Sequence, residues 1–229
     1  MAARYAIYFA PAAESMLWQR ASQWLGRDAA SGEDLLQPRF AALAVLDFAS
    51  LTADPRQYGF HATLKAPFAL AEGVTEAGLI AAATDFARAR LAFSATIHPR
   101  ALGPFLAFQI EGDCPAMAAL AADCVRRFEP FRAPLDEADV ARRRRAALTP
   151  RQDAQLAEWG YPYVFEDFRF HMTLTGAISD AAKRVRVLAA AQDYFAAIPP
   201  EQGVDSISLF RQPNRASAFS IIGRFAFGA

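Results

Sequence analysis

The clearest alternation of apolar and polar residues in the first half of the chain runs through Tyr58-Gly-Phe-His-Ala-Thr-Leu-Lys-Ala-Pro-Phe68. In an extended strand Phe60, Ala62, Leu64, Ala66 and Phe68 share one face. His61, Thr63 and Lys65 share the other, because successive strand side chains point to opposite sides. An earlier strand is predicted over residues 4–9, where Tyr5, Ile7 and Phe9 alternate with Arg4, Ala6 and Tyr8 and Pro11 ends the run. Helices are predicted over 14–25 and 35–46. Behind Thr75, a candidate N-cap, Leu79, Ile80, Ala83, Phe86, Ala87 and Leu91 recur at helical spacing. Strands are predicted to follow at 93–97 and 105–110.

The second half repeats that order: a strand over 168–175, a helix over 180–197, then strands over 206–210 and 219–227. Between the halves, 115–128 and 136–159 read as helices interrupted by Pro130 and Pro134. Strand, helix, strand, strand, taken twice with one leading strand, predicts a single two-lobed, pseudo-symmetric α+β domain over 1–229. Its first unit covers about 55–112, the connecting helices about 113–160 and the second unit about 165–229. Mostly antiparallel sheets flanked by helices are expected, with the two histidine strands central and facing one cleft.

Composition narrows the function. Hydrophobic residues make up 54% of the chain, enough to build a core and too many for disorder. Lysine plus arginine equals aspartate plus glutamate at 24 each, so the broad positive field that long nucleic acids attract is missing and a small anionic ligand is the expected partner. No apolar run approaches the ~20 residues that span a bilayer, and the first residues lack a signal-peptide pattern; a cytoplasmic protein with no membrane partner is expected. Cys114 and Cys124 form no CxxC pair and no HExxH grouping is present, so neither a metal nor a cofactor is expected.

Superposing the halves sets Phe60-His61-Ala62-Thr63-Leu64 over Phe170-His171-Met172-Thr173-Leu174. With 8 Thr and 20 Leu in the sequence, a given histidine precedes x-Thr-Leu by chance roughly 3 times in 1000, yet two of the three histidines do so. Residues i and i+2 of a strand share a face, so each imidazole has a hydroxyl beside it. Two such strands brought together offer two imidazoles and two hydroxyls to one phosphate. Displacement at phosphorus requires a base on one side and an acid on the other, and imidazole serves as either near neutrality. The hydroxyls donate to the non-bridging oxygens.

These residues resemble the two-histidine (2H) phosphoesterase superfamily, whose members carry paired strand-borne His-x-Thr motifs. More narrowly, the Tyr58 to Phe68 run, Trp159-Gly-Tyr-Pro-Tyr163 and Phe168-Arg-Phe-His-Met-Thr-Leu-Thr-Gly176 are similar to a bacterial branch of phosphonate metabolism proteins encoded beside carbon-phosphorus lyase genes. The resemblance covers most of the chain. It implies a 2H phosphoesterase-like (LigT-like) fold, His61 and His171 as catalytic acid and base, Thr63 and Thr173 on the phosphate, a cyclic phosphodiester substrate and no metal. For the phosphonate branch it implies 5-phosphoribosyl 1,2-cyclic phosphate. Hydrolysis of RNA or nucleotide 2′,3′-cyclic phosphates, and phosphate-ligand binding without catalysis, are the alternative readings.

Other residues have two readings each. Lys65 extends the polar face of the first motif as a phosphate-binding cation, or is a solvated strand-end lysine. Tyr161 and Tyr163 serve as substrate-stacking rings or as packing. Arg142 to Arg145 reads as a solvated helix face or as a second phosphate site. Arg211 and Gln212 are within reach of the cleft by their place after a strand, and His98, outside any motif, reads as a surface histidine.

Overall fold

The computed structural model describes residues 3–43 and 46–228. Eight strands form one sheet: β1 (Arg4–Phe9), β2 (Ala62–Ala69), β3 (Phe93–Leu102), β4 (Phe105–Ile110), β5 (Met172–Thr173), β6 (Glu201–Val204), β7 (Ser206–Gln212) and β8 (Ser220–Ala226). Their order is β6-β3-β4-β5-β2-β1-β7-β8, and every pairing is antiparallel. Seven α-helices flank the sheet among the described residues: α1 (Met16–Leu25), α2 (Phe48–Tyr58), α3 (Glu76–Arg88), α4 (Pro115–Arg127), α5 (Glu137–Arg143), α6 (Pro150–Trp159) and α7 (Ala181–Tyr194). This is the expected α+β architecture with the histidine strands at its centre.

The two sequence repeats do not separate into two halves of the sheet. β2 and β5 are adjacent, and the hairpin β3–β4 that follows the first motif lies beside β5, whereas β7–β8, which follow the second, join β2 through β1. β5 thus pairs directly with the hairpin of the first repeat, while β2 reaches the hairpin of the second through β1. This interleaving makes each repeat dependent on the other for a paired strand, since an unpaired edge would leave backbone groups unsatisfied.

Helices begin where short polar side chains cap them. Ser15, Thr75, Thr149 and Asp180 each accept a backbone N–H of the first turn, and Thr149 closes a capping box with Gln152. α1 buries Leu17, Trp18, Ala21, Trp24 and Leu25 along one stripe, and Trp24 Nε1 donates to the carbonyl of Leu174 at 3.0 Å. That bond ties the first helix to the residue after the second motif.

Several expectations are corrected. A helix over 35–46 is not found in the described part of that range, where a 3-10 turn at Ala41–Leu43 follows coil; residues 44 and 45 lie outside the described residues. The helix is instead α2, which starts at Asp47, whose side chain accepts from Ser50 N–H, and carries Pro55 within it. Proline in a helical stretch argues against a helix in sequence, but its missing N–H is tolerated here in a short helix anchored by the buried Leu51 and Thr52. The span 136–159 forms two helices, split before the Thr149 cap. The strand over 168–175 contracts to Met172–Thr173, because the preceding segment is held by Asp167 to Arg151 and Gln152 of α6 instead of by a neighbouring strand.

Candidate active site

The register of the sheet assembles the site. Ala62 pairs with Met172 between β2 and β5. In an antiparallel pair, the next positions outward are Thr63 opposite His171 and His61 opposite Thr173. Ala62 and Met172 are buried on the core face, 1% and 0% exposed. Their neighbours in sequence therefore all project from the other face: His61, Thr63, His171 and Thr173. The two histidines stand diagonally across the pair, a relation that puts such side chains about 7 to 8 Å apart.

The histidine of one motif meets the threonine of the other. A cleft of about 560 Å³ is lined by Thr63 and His171, with Phe105, Tyr161, Tyr163, Arg151 and Arg169 around them. A smaller cleft of about 270 Å³ is lined by His61 and Thr173, with Tyr58 and Asp54. Phe105 borders both. Tyr161 and Tyr163 stand edge to face at 5.5 Å in the wall of the larger one.

Both imidazoles are fixed in the same way. His61 Nδ1 lies 2.9 Å from the carbonyl of Gly59, and His171 Nδ1 lies 2.8 Å from that of Arg169, in each case two residues back. A carbonyl only accepts, so each Nδ1 carries the proton and donates. Nε2 of the neutral ring is left as an acceptor. Thr63 Oγ1 is 3.4 Å from His61 Nε2. Gly59 is required by geometry: its φ is +77°, and a Cβ there would lie 2.4 Å from that of Ala29.

The surroundings of the two rings differ. His61 stacks on Tyr8, centroids 3.8 Å apart and planes 21° apart, with Phe210 and Tyr58 at 5.9 and 6.1 Å. Burial in this aromatic box pushes its pKa down to about 4, the Gly59 carbonyl opposes the shift, and the nearby charge of His171 adds to it. His171 meets one ring, Phe105, at 5.9 Å.

Lys65 is a correction. Between β1 and β2, Tyr8 pairs with Thr63 but Ile7 pairs with Lys65, so β2 advances two residues where β1 advances one. This bulge breaks the alternation and turns Lys65 to the core face, where it is 3% exposed. Its ammonium donates to the Val125 carbonyl at 3.1 Å and to Glu129 at 2.7 Å, and it does not line the cleft. Thr175, at the matching place of the second motif, is buried too and accepts from Leu106 N–H.

The remaining candidates divide. Arg142 and Arg144 face outward in ion pairs with Asp139 and Asp153, whereas Arg143 turns in under Tyr161 at 5.0 Å. Arg211 pairs with Glu76, Gln212 accepts from Arg4, and His98 pairs with Glu111 on the surface; none of these three lines the histidine cleft. Sequence reading missed Tyr8 as a site residue. Its position between Ile7 and Phe9 on the first strand was visible, but the stacking on His61 needed the pairing of β1 with β2.

A single antiparallel sheet with two strand-borne His-x-Thr motifs joined at its middle defines the class: a two-imidazole, two-hydroxyl site in a pseudo-symmetric α+β domain. Residues 63–220 match the family described as "Protein of unknown function (DUF1045)", and the chain belongs to that family. It is 42% identical over 221 residues to a protein of Janthinobacterium sp. (strain Marseille) named ribose 1,5-bisphosphate phosphokinase PhnN, covering 94% of this chain and 49% of that protein. A protein of the same name from Laribacter hongkongensis (strain HLHK9) is 35% identical, covering 95% and 50%. The chain therefore spans about half the length of the curated relatives it matches. Among solved structures it is similar to TT0787 of Thermus thermophilus (TM-score 0.48, 13% identity, 98% and 97% covered) and to E. coli LigT complexed with 3′-AMP (TM-score 0.47, 14% identity, 100% of both chains). No helix among the described residues is long and apolar enough to cross a membrane.

Proposed function

We propose that this chain is a phosphoesterase of the 2H type that hydrolyses a small cyclic phosphodiester without a metal, and that its substrate is 5-phosphoribosyl 1,2-cyclic phosphate. The observation that carries the reading is the pairing of the two motifs across β2 and β5. Each of the two non-bridging oxygens then has a threonine hydroxyl to take a hydrogen bond from, with one imidazole Nε2 for the attacking and one for the departing oxygen. His61, kept neutral by its aromatic box, is the base: Nε2 takes a proton from water as the water oxygen bonds to phosphorus. His171 is the acid: protonated at Nε2, it delivers its proton to the ribose O2 as the P–O2 bond breaks.

The product is ribose 1,5-bisphosphate, the compound in the name of the relatives. Hydrolysis of the cyclic ester therefore supplies what a ribose 1,5-bisphosphate kinase consumes, which gives a reason for both to share one polypeptide. The kinase itself we place in the half of those relatives that this chain does not span. This sequence contains no Gly-Lys pair from which a nucleotide-binding P-loop is built.

The test is phosphorus NMR of the purified chain with 5-phosphoribosyl 1,2-cyclic phosphate, beside a panel of nucleoside 2′,3′-cyclic phosphates, in the presence of chelator. Conversion to ribose 1,5-bisphosphate is expected, faster than any member of the panel. Faster turnover of the nucleoside esters would replace the substrate, and loss of activity in chelator would overturn the metal-free mechanism.

A further inference from the structure

The wall beyond His61 carries positive charge that the hydrolysis does not use. Tyr8 is 1% exposed, and its hydroxyl has no hydrogen-bond partner among the described residues. Arg143 holds its guanidinium 5.0 Å from the centroid of Tyr161, with a buried Nε that meets no acceptor. Arg4 commits its Nε to the neutral Gln212 side chain at 2.8 Å and stands 5.5 Å from the ring of Phe219, itself stacked on Tyr58. The carboxylate at hand, Asp139, is taken by Arg142 at 2.5 Å and Arg215 at 2.6 Å. Arg4 and Arg143 thus have no carboxylate partner among the described residues. Burial holds both guanidinia below their ordinary pKa; the charge of Arg215 adds to the effect on Arg4, and those of Arg142 and Arg4 add to the effect on Arg143, which Tyr161 and the Asp139 carboxylate oppose.

Positive charge drawn partly out of water without a counter-ion is unfavourable unless an anion completes the site. We infer that Arg4, Arg143 and the Tyr8 hydroxyl form a phosphomonoester subsite one sugar away from the histidine pair, so that the substrate carries a second, terminal phosphate. This deepens the proposed function and rests on it. A phosphomonoester near pH 7 is close to a dianion with three acceptor oxygens, which suits two guanidinium forks and a phenol donor. The subsite lies on one side only. In the sheet, Tyr8 pairs with Thr63 on β1, and the matching partner of Thr173 on β4 is Ala107, which offers no polar group. A substrate with one terminal phosphate therefore seats in a single direction across a pseudo-symmetric cleft. That fixes which ester oxygen faces His171.

Titration calorimetry with ribose 5-phosphate at low salt tests the subsite without catalysis. Arg143→Met and Arg4→Met are each expected to weaken binding about 10- to 100-fold, and Arg143→Lys, which keeps the charge and loses the fork, by less. His98→Ala, on the surface beside Glu111, is expected to bind as the native protein does, within a few-fold. Native-like binding by folded Arg4→Met and Arg143→Met, loss of binding in Arg169→Met instead, or no binding by the native protein would overturn the subsite. If the native protein binds ribose 5-phosphate through Arg4 and Arg143 yet turns over no cyclic phosphodiester, the subsite stands and the hydrolase reading falls.

Discussion

The two motifs are alike in sequence, tautomer and backbone anchoring, but the strand beside each is not. Next to the first motif, β1 places Tyr8 diagonally from His61; next to the second, β4 places Ala107 in the equivalent position relative to His171. The phenol ring stacks on His61 and covers one face of it, whereas His171 meets Phe105 at 5.9 Å without a stacked ring. A duplicated site thus acquires two different imidazoles through one neighbouring side chain. Pairs of titratable groups pushed apart by their surroundings are how acid and base roles are assigned in general.

The strongest way to break this comparison is to remove each histidine. His61→Ala and His171→Ala are each expected to lower kcat by about 100- to 10,000-fold with the fold retained. With a nitrophenyl phosphodiester, whose leaving group needs no proton, His171→Ala should recover most of its rate and His61→Ala should not. Equal recovery by both would dissolve the asymmetry.

Next in size is Tyr8→Ala, which gives His61 surroundings like those of His171. The His61 pKa is expected to rise from about 4 toward its ordinary 6.5, read by NMR titration of the ring, and the acidic limb of the rate profile should move up with it. The same shift appears in stability. Between pH 4 and 6.5 the unfolded chain binds a proton that the folded His61 refuses, so this contribution is complete above about 6.5 and is lost as pH falls toward 4. It amounts to at most about 3 kcal/mol. Chemical denaturation across that range should show a shallower acid loss in Tyr8→Ala than in the native protein.

Smaller effects are expected from the hydroxyls. Thr63→Val and Thr173→Val each remove one donor to the phosphate and should cost about 10-fold in kcat/KM. The smallest effect on rate is predicted for Lys65→Met, which lies off the cleft: turnover should stay within about 2-fold of native, while stability falls by about 1 to 3 kcal/mol because Glu129 loses its buried partner. A large loss of turnover without a loss of stability would return Lys65 to the phosphate.

Much of this was legible along the chain. The alternation around His61 announced a strand with a core face and a polar face, and the repeat at His171 announced a second one of the same kind. Thr75, followed by apolar residues at helical spacing, marked α3 correctly. Lys65 was misread because a bulge, which has no reliable signature in one strand's sequence, depends on how the partner strand is registered. α2 had no counterpart in the helix predicted over 35–46, because its apolar stripe is short and Leu51, Thr52 and Pro55 are what it buries. Arg143 looked like one of four equivalent arginines until the end of α5 was seen to turn it under Tyr161.

The sequence alone determined that each of these histidines has a threonine beside it, since residues two apart on a strand share a face whatever the rest of the fold does. It also determined that the unit occurs twice. Only the tertiary structure decided that β2 and β5 lie side by side, that each motif's histidine faces the other's threonine, and that Tyr8 closes on one ring alone. Those outcomes depend on pairings between strands far apart in the chain, and strand periodicity says which face a residue takes without saying what it will face.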